Sequence, residues 1–126
     1  FTSPGNIPML YQGDDIGTYG QQDPDNRAMH RFEGLTAAEQ DSLDNANMVG
    51  LLREEHPALR RGARQTEVVE NFFWVYRAEH DGDVVYVALN RDVDKSWAPP
   101  AGYVDALGNC EGGNVPAMSS CVFVAQ

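Results

Sequence analysis

The most informative run of this sequence is FFWVYRAEHDGDVVYVAL, residues 72–89. Aromatic and β-branched residues fill both of its halves, and between the halves lies Asp81-Gly82, a dipeptide typical of tight hairpin turns. The sequence therefore predicts two antiparallel strands, over residues 72–78 and 84–89, that are joined at this turn.

The aromatic residues of this stretch could belong to the core or to a surface that stacks on sugar rings. Alternate residues of a strand must face inward, so we interpret the cluster as core packing. Its members are Phe72, Phe73, Trp74, Tyr76 and Tyr86. Trp97, which lies close to Lys95 and Pro99, is the more exposed candidate for sugar binding.

Strand-like runs continue on both sides of the hairpin. Residues 65–70 precede it, and residues 103–104 and 121–125 follow it, separated by Pro99-Pro100 and by glycine-rich turns. The sequence therefore predicts that residues 58–126 are all-β and form a small antiparallel sandwich.

A helix is predicted on the amino-terminal side of this β region. Thr36 and Glu39 have the spacing of a capping box, and apolar residues continue at helical spacing, which predicts a helix over residues 37–55. His56 precedes Pro57 and should end the helix, because a residue before proline is disfavoured in helical conformation. We expect a domain boundary between residues 57 and 58.

The first part of the chain has a different character. Residues 6–11 are a short, mainly apolar run between Pro4-Gly5 and Gly13, which predicts a brief buried strand. Residues 13–31 are rich in Gly, Asp, Gln and Asn, which is typical of a long ordered loop. The predicted order is therefore strand, loop, helix and β region, an α+β arrangement.

Charge and hydropathy exclude some classes of partner. The formal net charge of −10 disfavours nucleic acids and anionic membranes, and no apolar run is long enough to span a bilayer. We interpret the basic triplet Arg60, Arg61 and Arg64 as a solvated stretch after a helix. A neutral partner such as a sugar fits this charge. The first residue is Phe1 and not methionine, so we expect a processed or truncated product.

Two cysteines, Cys110 and Cys121, lie close together in a loop-rich region. A bridge across so short a loop would stabilise the fold by roughly 2–3 kcal/mol. The alternative is a pair of unpaired buried thiols, and no residues nearby have the spacing of a metal site. We expect the disulfide, and with it a secreted or periplasmic protein.

The loop of residues 13–31 contains the candidate functional residues. Asp14 and Asp15 could be paired carboxylates, but adjacent residues of an extended chain point to opposite sides. The loop aspartates could also bind calcium, although they lack the alternating ligand spacing of a known calcium loop. The run from Asp23 to Arg27 is either a simple turn or a site where the carboxylate and guanidinium meet sugar hydroxyls.

Three motifs together resemble the alpha-amylase family, glycoside hydrolase family 13. PGNIPMLYQGDD, residues 4–15, resembles the family's eighth barrel strand, with its PG-x-P-x-x-Y-x-G-[DE]-E pattern. DPDNR, residues 23–27, resembles the family's D-P-x-x-R loop, and LLREEHPALRRG, residues 51–62, resembles the end of the eighth helix and the entry into domain C. Asp15 and Phe32 depart from the family pattern, which commonly has Glu and Trp at these positions.

The resemblance implies a fold and a function. Residues 1–57 would be the eighth β/α unit of a (β/α)8 barrel, and residues 58–126 an antiparallel Greek-key β-sandwich, domain C. The parent would hydrolyse or transfer α-glucosidic linkages with retention, and its catalytic carboxylates would lie on earlier strands, so this chain would contain no catalytic residue and be inactive alone. Asp23 and Arg27 would bind glucosyl units on the non-reducing side of the scissile bond.

The resemblance also carries expectations about further contacts. Asp15, Tyr19 and His30 are additional candidates for substrate contact. No cofactor is implied for this chain, and calcium is a candidate ion of the parent. Because one strand and one helix cannot close a barrel, the apolar residues of both need a partner, either the missing barrel or a second copy. The alternatives are a non-catalytic carbohydrate-binding β module and a purely structural domain.

Overall fold

The computed structural model describes all residues, 1–126. Two short 3-10 helices, Asp14–Ile16 and Asp25–Arg27, precede two α-helices, α1 (Ala37–Glu55) and α2 (Ala58–Arg61). Seven strands follow them, namely β1 (Ala63–Glu70), β2 (Phe73–His80), β3 (Asp83–Asn90), β4 (Lys95–Ser96), β5 (Tyr103–Asp105), β6 (Asn114–Val115) and β7 (Ser120–Ala125). No helix has the length and apolar character that crossing a membrane requires. The chain is therefore a small α+β fold with an antiparallel sheet, as the sequence predicts.

The β2–β3 hairpin forms at the predicted turn. Asp81 has φ 50° and Gly82 has φ 87°, so both central residues adopt the positive φ that a type I′ turn requires. His80 pairs with Asp83, and the register continues to Phe73 and Asn90. β2 begins one residue later than predicted, because Phe72 lies in the preceding turn with φ 63° and is largely exposed.

The main sheet has the strand order β1-β2-β3-β7-β5, and β4 and β6 form a separate two-stranded sheet. Every pairing is antiparallel. Side chains alternate between the two faces of the main sheet, so each face carries its own core. The first core also contains helix residues and comprises Leu52, Ala58, Leu59, Tyr76, Ala78, Val85, Val87 and Val122. The second comprises Phe73, Val75, Ala88, Val115, Cys121 and Phe123.

The aromatic residues mostly serve these cores, as predicted. Phe73 and Tyr76 are buried, whereas Trp74 and Tyr86 are half-buried. Trp97, expected to be more exposed, is half-buried, and its ring centroid lies 5.6 Å from that of Phe123. Its indole therefore takes part in packing the second core.

The Asn90 side chain links the two sheets by hydrogen bonds, and no sequence pattern predicts this role. It is 2% exposed, and its side-chain amide donates toward the carbonyls of Val93, Val115 and Pro116 at 2.9–3.0 Å. Its Oδ1 accepts the N–H of Asp92 at 3.1 Å. A buried amide is tolerated here because its polar atoms have partners.

Helix α1 has the predicted bounds and the predicted cap. The Thr36 hydroxyl accepts the Glu39 N–H at 3.3 Å, and the Glu39 carboxylate accepts the Thr36 N–H at 2.8 Å, which completes the capping box. His56 is the C-cap. Only Leu52 of this helix is buried, and Leu43, Ala46 and Val49 on the same face are half-buried. Met48 and Leu51 are exposed, so the apolar residues of α1 are only partly covered within this chain.

Helix α2 lies where the sequence predicts a connection. Asp83 of β3 explains it, because its carboxylate accepts the Ala58 N–H at 2.9 Å and contacts His56 Nδ1 at 3.0 Å. Ala58 and Leu59 are fully buried beneath the sheet. The expectation that residues 58–126 are all-β was therefore wrong at this one turn of helix.

The expected buried strand over residues 6–11 does not form. The segment has no regular secondary structure, and Ile7 and Met9 are 95% and 84% exposed. A strand needs a neighbouring strand for its backbone hydrogen bonds, and none lies beside this segment in the chain.

Residues 1–6 are nevertheless held against the β region by a polar seam. The Arg53 guanidinium donates to the carbonyls of Phe1 and Asn6, each at 2.6 Å, and also to that of Leu59. The Tyr76 hydroxyl donates to the Thr2 carbonyl at 2.8 Å. Burial raises the pKa of Tyr76, which keeps this donor protonated.

The predicted disulfide joins Cys110 and Cys121, with a Cα–Cα distance of 6.1 Å. Asp105 organises the same loop, because its carboxylate accepts the backbone N–H groups of Asn109, Cys110 and Val122 at 2.6–2.9 Å. Asp105 lies close to both sulfurs, but the bridge and these hydrogen bonds already account for the three side chains.

Candidate functional site

The candidate site is the loop that precedes α1. It begins with a tight turn in which Gly13 has φ 88° and Gly17 has φ 65°. Asp14 Oδ2 accepts the Tyr11 N–H at 2.9 Å, and Ile16, 2% exposed, anchors the turn toward the body of the chain. The turn is therefore ordered by its own hydrogen bonds and by one buried side chain.

Asp23 and Arg27 form a two-bond ion pair at the outer end of this loop. Arg27 Nε donates to Asp23 Oδ1 at 3.1 Å, and Nη2 donates to Oδ2 at 2.9 Å. The side chains are 60% and 72% exposed, respectively. So exposed a pair contributes little to stability, but its two groups fix each other's orientation.

This pair keeps free hydrogen-bonding capacity. A guanidinium has five N–H donors and a carboxylate about four acceptor positions, so two mutual bonds leave several of each unused. Arg27 also lines a small cleft of about 170 Å³ with Tyr11, Gln12 and Met29. The arrangement can present donors and acceptors together to a polyhydroxylated ligand.

Asp15 and His30, two of the predicted contact residues, contact each other. His30 Nε2 lies 3.1 Å from both carboxylate oxygens of Asp15, and the side chains are 20% and 25% exposed, in that order. The His30 ring also lies against Phe32, with centroids 4.6 Å apart. The structure therefore separates this half-buried pair from the exposed Asp23–Arg27 pair.

Tyr19 and Gly20 lie between the two pairs in sequence. Tyr19 is 93% exposed and makes no side-chain hydrogen bond, so its ring face is free. Gly20 passes so close to the following turn that an added Cβ would lie 2.5 Å from Asn26 Cα. This requirement is not predictable from the sequence, because a Gly next to a polar turn is too weak a signal.

The loop aspartates do not converge on one point. Asp14 accepts a backbone N–H, Asp15 contacts His30, Asp23 pairs with Arg27, and Asp25 accepts the Gln21 N–H at 3.4 Å. No group of three or more potential ligands forms here. The loop residues therefore do not fit a calcium site, nor does the Asp14-Asp15 dipeptide act as a carboxylate pair facing one ligand.

Comparison with known proteins gives this geometry a context. No protein-family profile matches the chain. A cyclomaltodextrin glucanotransferase of Niallia circulans is 32% identical over 122 residues, which cover 90% of this chain and 16% of the relative. An alpha-amylase of the same organism is 30% identical over 122 residues, again 90% of this chain and 22% of the relative. The chain belongs to the alpha-amylase family.

A solved structure agrees with this alpha-amylase assignment at the level of the fold. The alpha-amylase from Geobacillus thermoleovorans, which was crystallised with acarbose, superposes with a TM-score of 0.75 at 24% identity. The match covers 99% of this chain and 31% of that one. The chain spans only 16% of the length of the glucanotransferase and 22% of that of the alpha-amylase from Niallia circulans.

Proposed function

We propose that this chain is the carboxy-terminal part of a retaining enzyme that hydrolyses or transfers α-glucosidic linkages. In this proposal Asp23 and Arg27 bind glucosyl hydroxyls on the non-reducing side of the scissile bond. The observation that carries it is the exposed, two-bond Asp23–Arg27 pair beside a cleft in a chain of the alpha-amylase family.

The chemistry of the pair suits a sugar. Vicinal hydroxyls of a pyranose each donate and accept, so a carboxylate and a guanidinium side by side can satisfy two neighbouring hydroxyls at once. Because the ion pair fixes both groups before the ligand arrives, less conformational freedom is lost on binding. The pair would therefore supply ligand affinity and orientation, and no proton transfer.

The catalytic carboxylates of this enzyme would lie outside the chain. Retaining glycosidases use two carboxyl groups about 5–5.5 Å apart, and the loop aspartates are each engaged separately. The chain alone is therefore expected to bind α-glucan weakly and to turn over none of it. Calcium, if the parent holds it, would have ligands elsewhere.

The proposal also assigns the two halves of the chain. Residues 1–57 would be the end of a (β/α)8 barrel, and residues 58–126 a Greek-key domain C. Two observations support this: the chain matches only a fraction of each relative, and residues 6–11 are apolar but lack a neighbouring strand.

The uncovered apolar surface would face the rest of that barrel. A groove of about 580 Å³ lies between Phe1, Leu10 and the α1 residues Ala46, Gly50 and Leu51. Large exposed side chains continue the surface, namely Ile7, Met9, Tyr11, Met29 and Phe32. A barrel in the same protein would bury them, and a second copy of the chain is the alternative partner.

The disulfide suggests where the protein matures. A Cys110–Cys121 bridge persists in oxidising compartments, so we place the parent outside the cell or in the periplasm. Thiol titration of the denatured protein, purified from its native source with alkylation, should find no free Cys. Two free thiols would contradict this placement.

The function is tested in the full-length product of the gene that encodes this chain. Asp23→Asn should raise KM for maltoheptaose by about tenfold and leave kcat nearly unchanged, because the residue binds a remote part of the substrate. Glu70→Gln is the matched control, since it removes a surface ion pair, with Lys95, on the β region.

Two results would contradict the proposal. Absence of any turnover of α-glucans by the wild-type full-length protein would exclude the reaction. Equal KM values for wild type and Asp23→Asn, with turnover present, would exclude the pair as a substrate contact. Calorimetry of the isolated chain with maltoheptaose would separate the rival sugar-binding module, which should bind tightly without the rest of the protein.

A further inference from the structure

The loop that carries Asp23 and Arg27 is closed at its base by a second pair. His30 Nε2 contacts both oxygens of Asp15, which lies fifteen residues earlier in the chain. A parallel contact lies beside it, because Gln12 Nε2 donates to the Ala28 carbonyl at 3.1 Å. Together these contacts bring the two ends of the loop side by side.

The two ring nitrogens of His30 have different surroundings. Nδ1 is buried and has no hydrogen-bond partner, whereas Nε2 faces both oxygens of Asp15. Because a carboxylate only accepts hydrogen bonds, Nε2 is the donor in this contact. His30 is thereby occupied with Asp15 and is poorly placed to contact a ligand through Nδ1.

We propose that Asp15 and His30 are positioning residues. They hold the Asp23–Arg27 pair in the position and orientation needed to bind the sugar, and they do not contact the sugar themselves. The inference rests on the proposed function, because it specifies how the loop of that site is shaped. The side chains of Asp23 and Arg27 make hydrogen bonds only with each other, so their position depends on how the loop is closed at its base.

The chain contains a matched control for this role. His56 Nδ1 lies 3.0 Å from Asp83 Oδ1, and those side chains are 22% and 24% exposed. The pair has nearly the same chemistry, distance and burial as Asp15–His30, but it joins the C-cap of α1 to β3. Replacing either histidine removes a comparable contact, whereas only His30 borders the sugar-binding loop.

The kinetic experiment uses the full-length protein and two substrates, maltoheptaose and maltotriose. His30→Ala should raise KM for maltoheptaose by about tenfold and leave kcat nearly unchanged. KM for maltotriose should change less, because a short substrate has fewer units to reach the loop. His30→Gln should restore much of the loss, since its amide can donate to Asp15, and His56→Ala should leave both KM values at the wild-type level.

A mutant cycle separates positioning from direct contact. If His30 acts through the pair, then adding His30→Ala to a variant without both side chains, Asp23→Ala with Arg27→Ala, should raise KM no further. A further rise of about tenfold in that triple variant would overturn the proposal, because it would mean that His30 contributes independently of the pair. An unchanged KM for His30→Ala would overturn it equally.

Hydrogen exchange tests this proposal without enzyme activity, so its result can be separated from the test of the proposed function. The backbone N–H groups of Thr18, Asp25 and Arg27 donate within the loop, so their hydrogen exchange reports its order. His30→Ala and Asp15→Ala should speed exchange at these amides, whereas His56→Ala should not. Unchanged exchange would refute loop closure by the pair even if α-glucan turnover is found, and faster exchange without turnover would refute only the function.

Discussion

The two halves of this chain bury their side chains very differently. Of the apolar core residues, only Ile16 and Leu52 precede residue 58, and all the others belong to α2 and the strands. The β region has a core on each face of its sheet, whereas the first half displays a row of large apolar side chains. The β region therefore contains its own packing partners, and the first half does not.

The largest effect expected from this contrast is in the core of the β region. Leu59→Ala should lower the free energy of unfolding of the chain by about 3 kcal/mol, because Leu59 is fully buried and its loss leaves a cavity. Leu51→Ala, on the exposed side of α1, should cost less than about 1 kcal/mol in this chain. Urea denaturation measures the loss of unfolding free energy in both variants, and equal losses would contradict the difference in packing between the two halves.

The disulfide should give the next effect. Replacing both Cys110 and Cys121 with Ser should destabilise the β region by about 3 kcal/mol, since the bridge closes a short loop of the unfolded chain. The loss should appear in the unfolding of the sheet, followed by tryptophan fluorescence. Hydrogen exchange within residues 13–31 should remain at the wild-type rate, and a change there would indicate that the halves are coupled through the bridge.

A smaller effect concerns the seam between the halves. Tyr76→Phe should cost about 1 kcal/mol, because it removes the hydrogen bond to the Thr2 carbonyl. Burial raises the Tyr76 pKa, so the wild type should lose stability as pH rises above about 10, the unfolded value, whereas Tyr76→Phe should lack this contribution. Thermal unfolding of both proteins between neutral and alkaline pH tests this. Parallel plots of melting temperature against pH would argue against a buried hydroxyl.

The smallest effect lies at the start of α1. The Thr36 N–H and hydroxyl lower the pKa of Glu39, so its contribution to stability is present above the unfolded pKa of about 4.3 and is lost as pH falls through the folded pKa. Glu39→Gln keeps an acceptor for Thr36 but does not titrate. Wild type and Glu39→Gln should differ in the melting temperature of the helix, followed by circular dichroism, and this difference should become smaller from pH 7 to about pH 3. A difference that stays constant would contradict the capping role.

The sequence predicts the fold well where local chemistry is sufficient. Asp81-Gly82 specifies a tight turn whatever surrounds it, and the Thr36–Glu39 box specifies where α1 begins, so both predictions were confirmed. The strand expected over residues 6–11 was wrong, because no strand of the chain lies beside this segment to share its backbone hydrogen bonds. Helix α2 was missed because its stabilising carboxylate, Asp83, lies on a distant strand.

The site was predictable in its residue types but not in its pairings. The DPDNR run indicated Asp23 and Arg27, and the structure pairs them, although a role in binding sugar stays a prediction. That Asp15 and His30 would contact each other could not be read from the sequence, because the contact depends on how fifteen intervening residues fold. Asn90 was missed for the same reason, since its partners are carbonyls of a later loop.

Arg53 connects the first residues to the rest of the chain without using a carboxylate. Its guanidinium donates to the carbonyl oxygens of Phe1, Asn6 and Leu59. Its partners are uncharged, so acid cannot switch them off as it does a carboxylate. Protonation of the many acidic side chains at low pH therefore leaves the Arg53 contacts between the first residues and α2 intact.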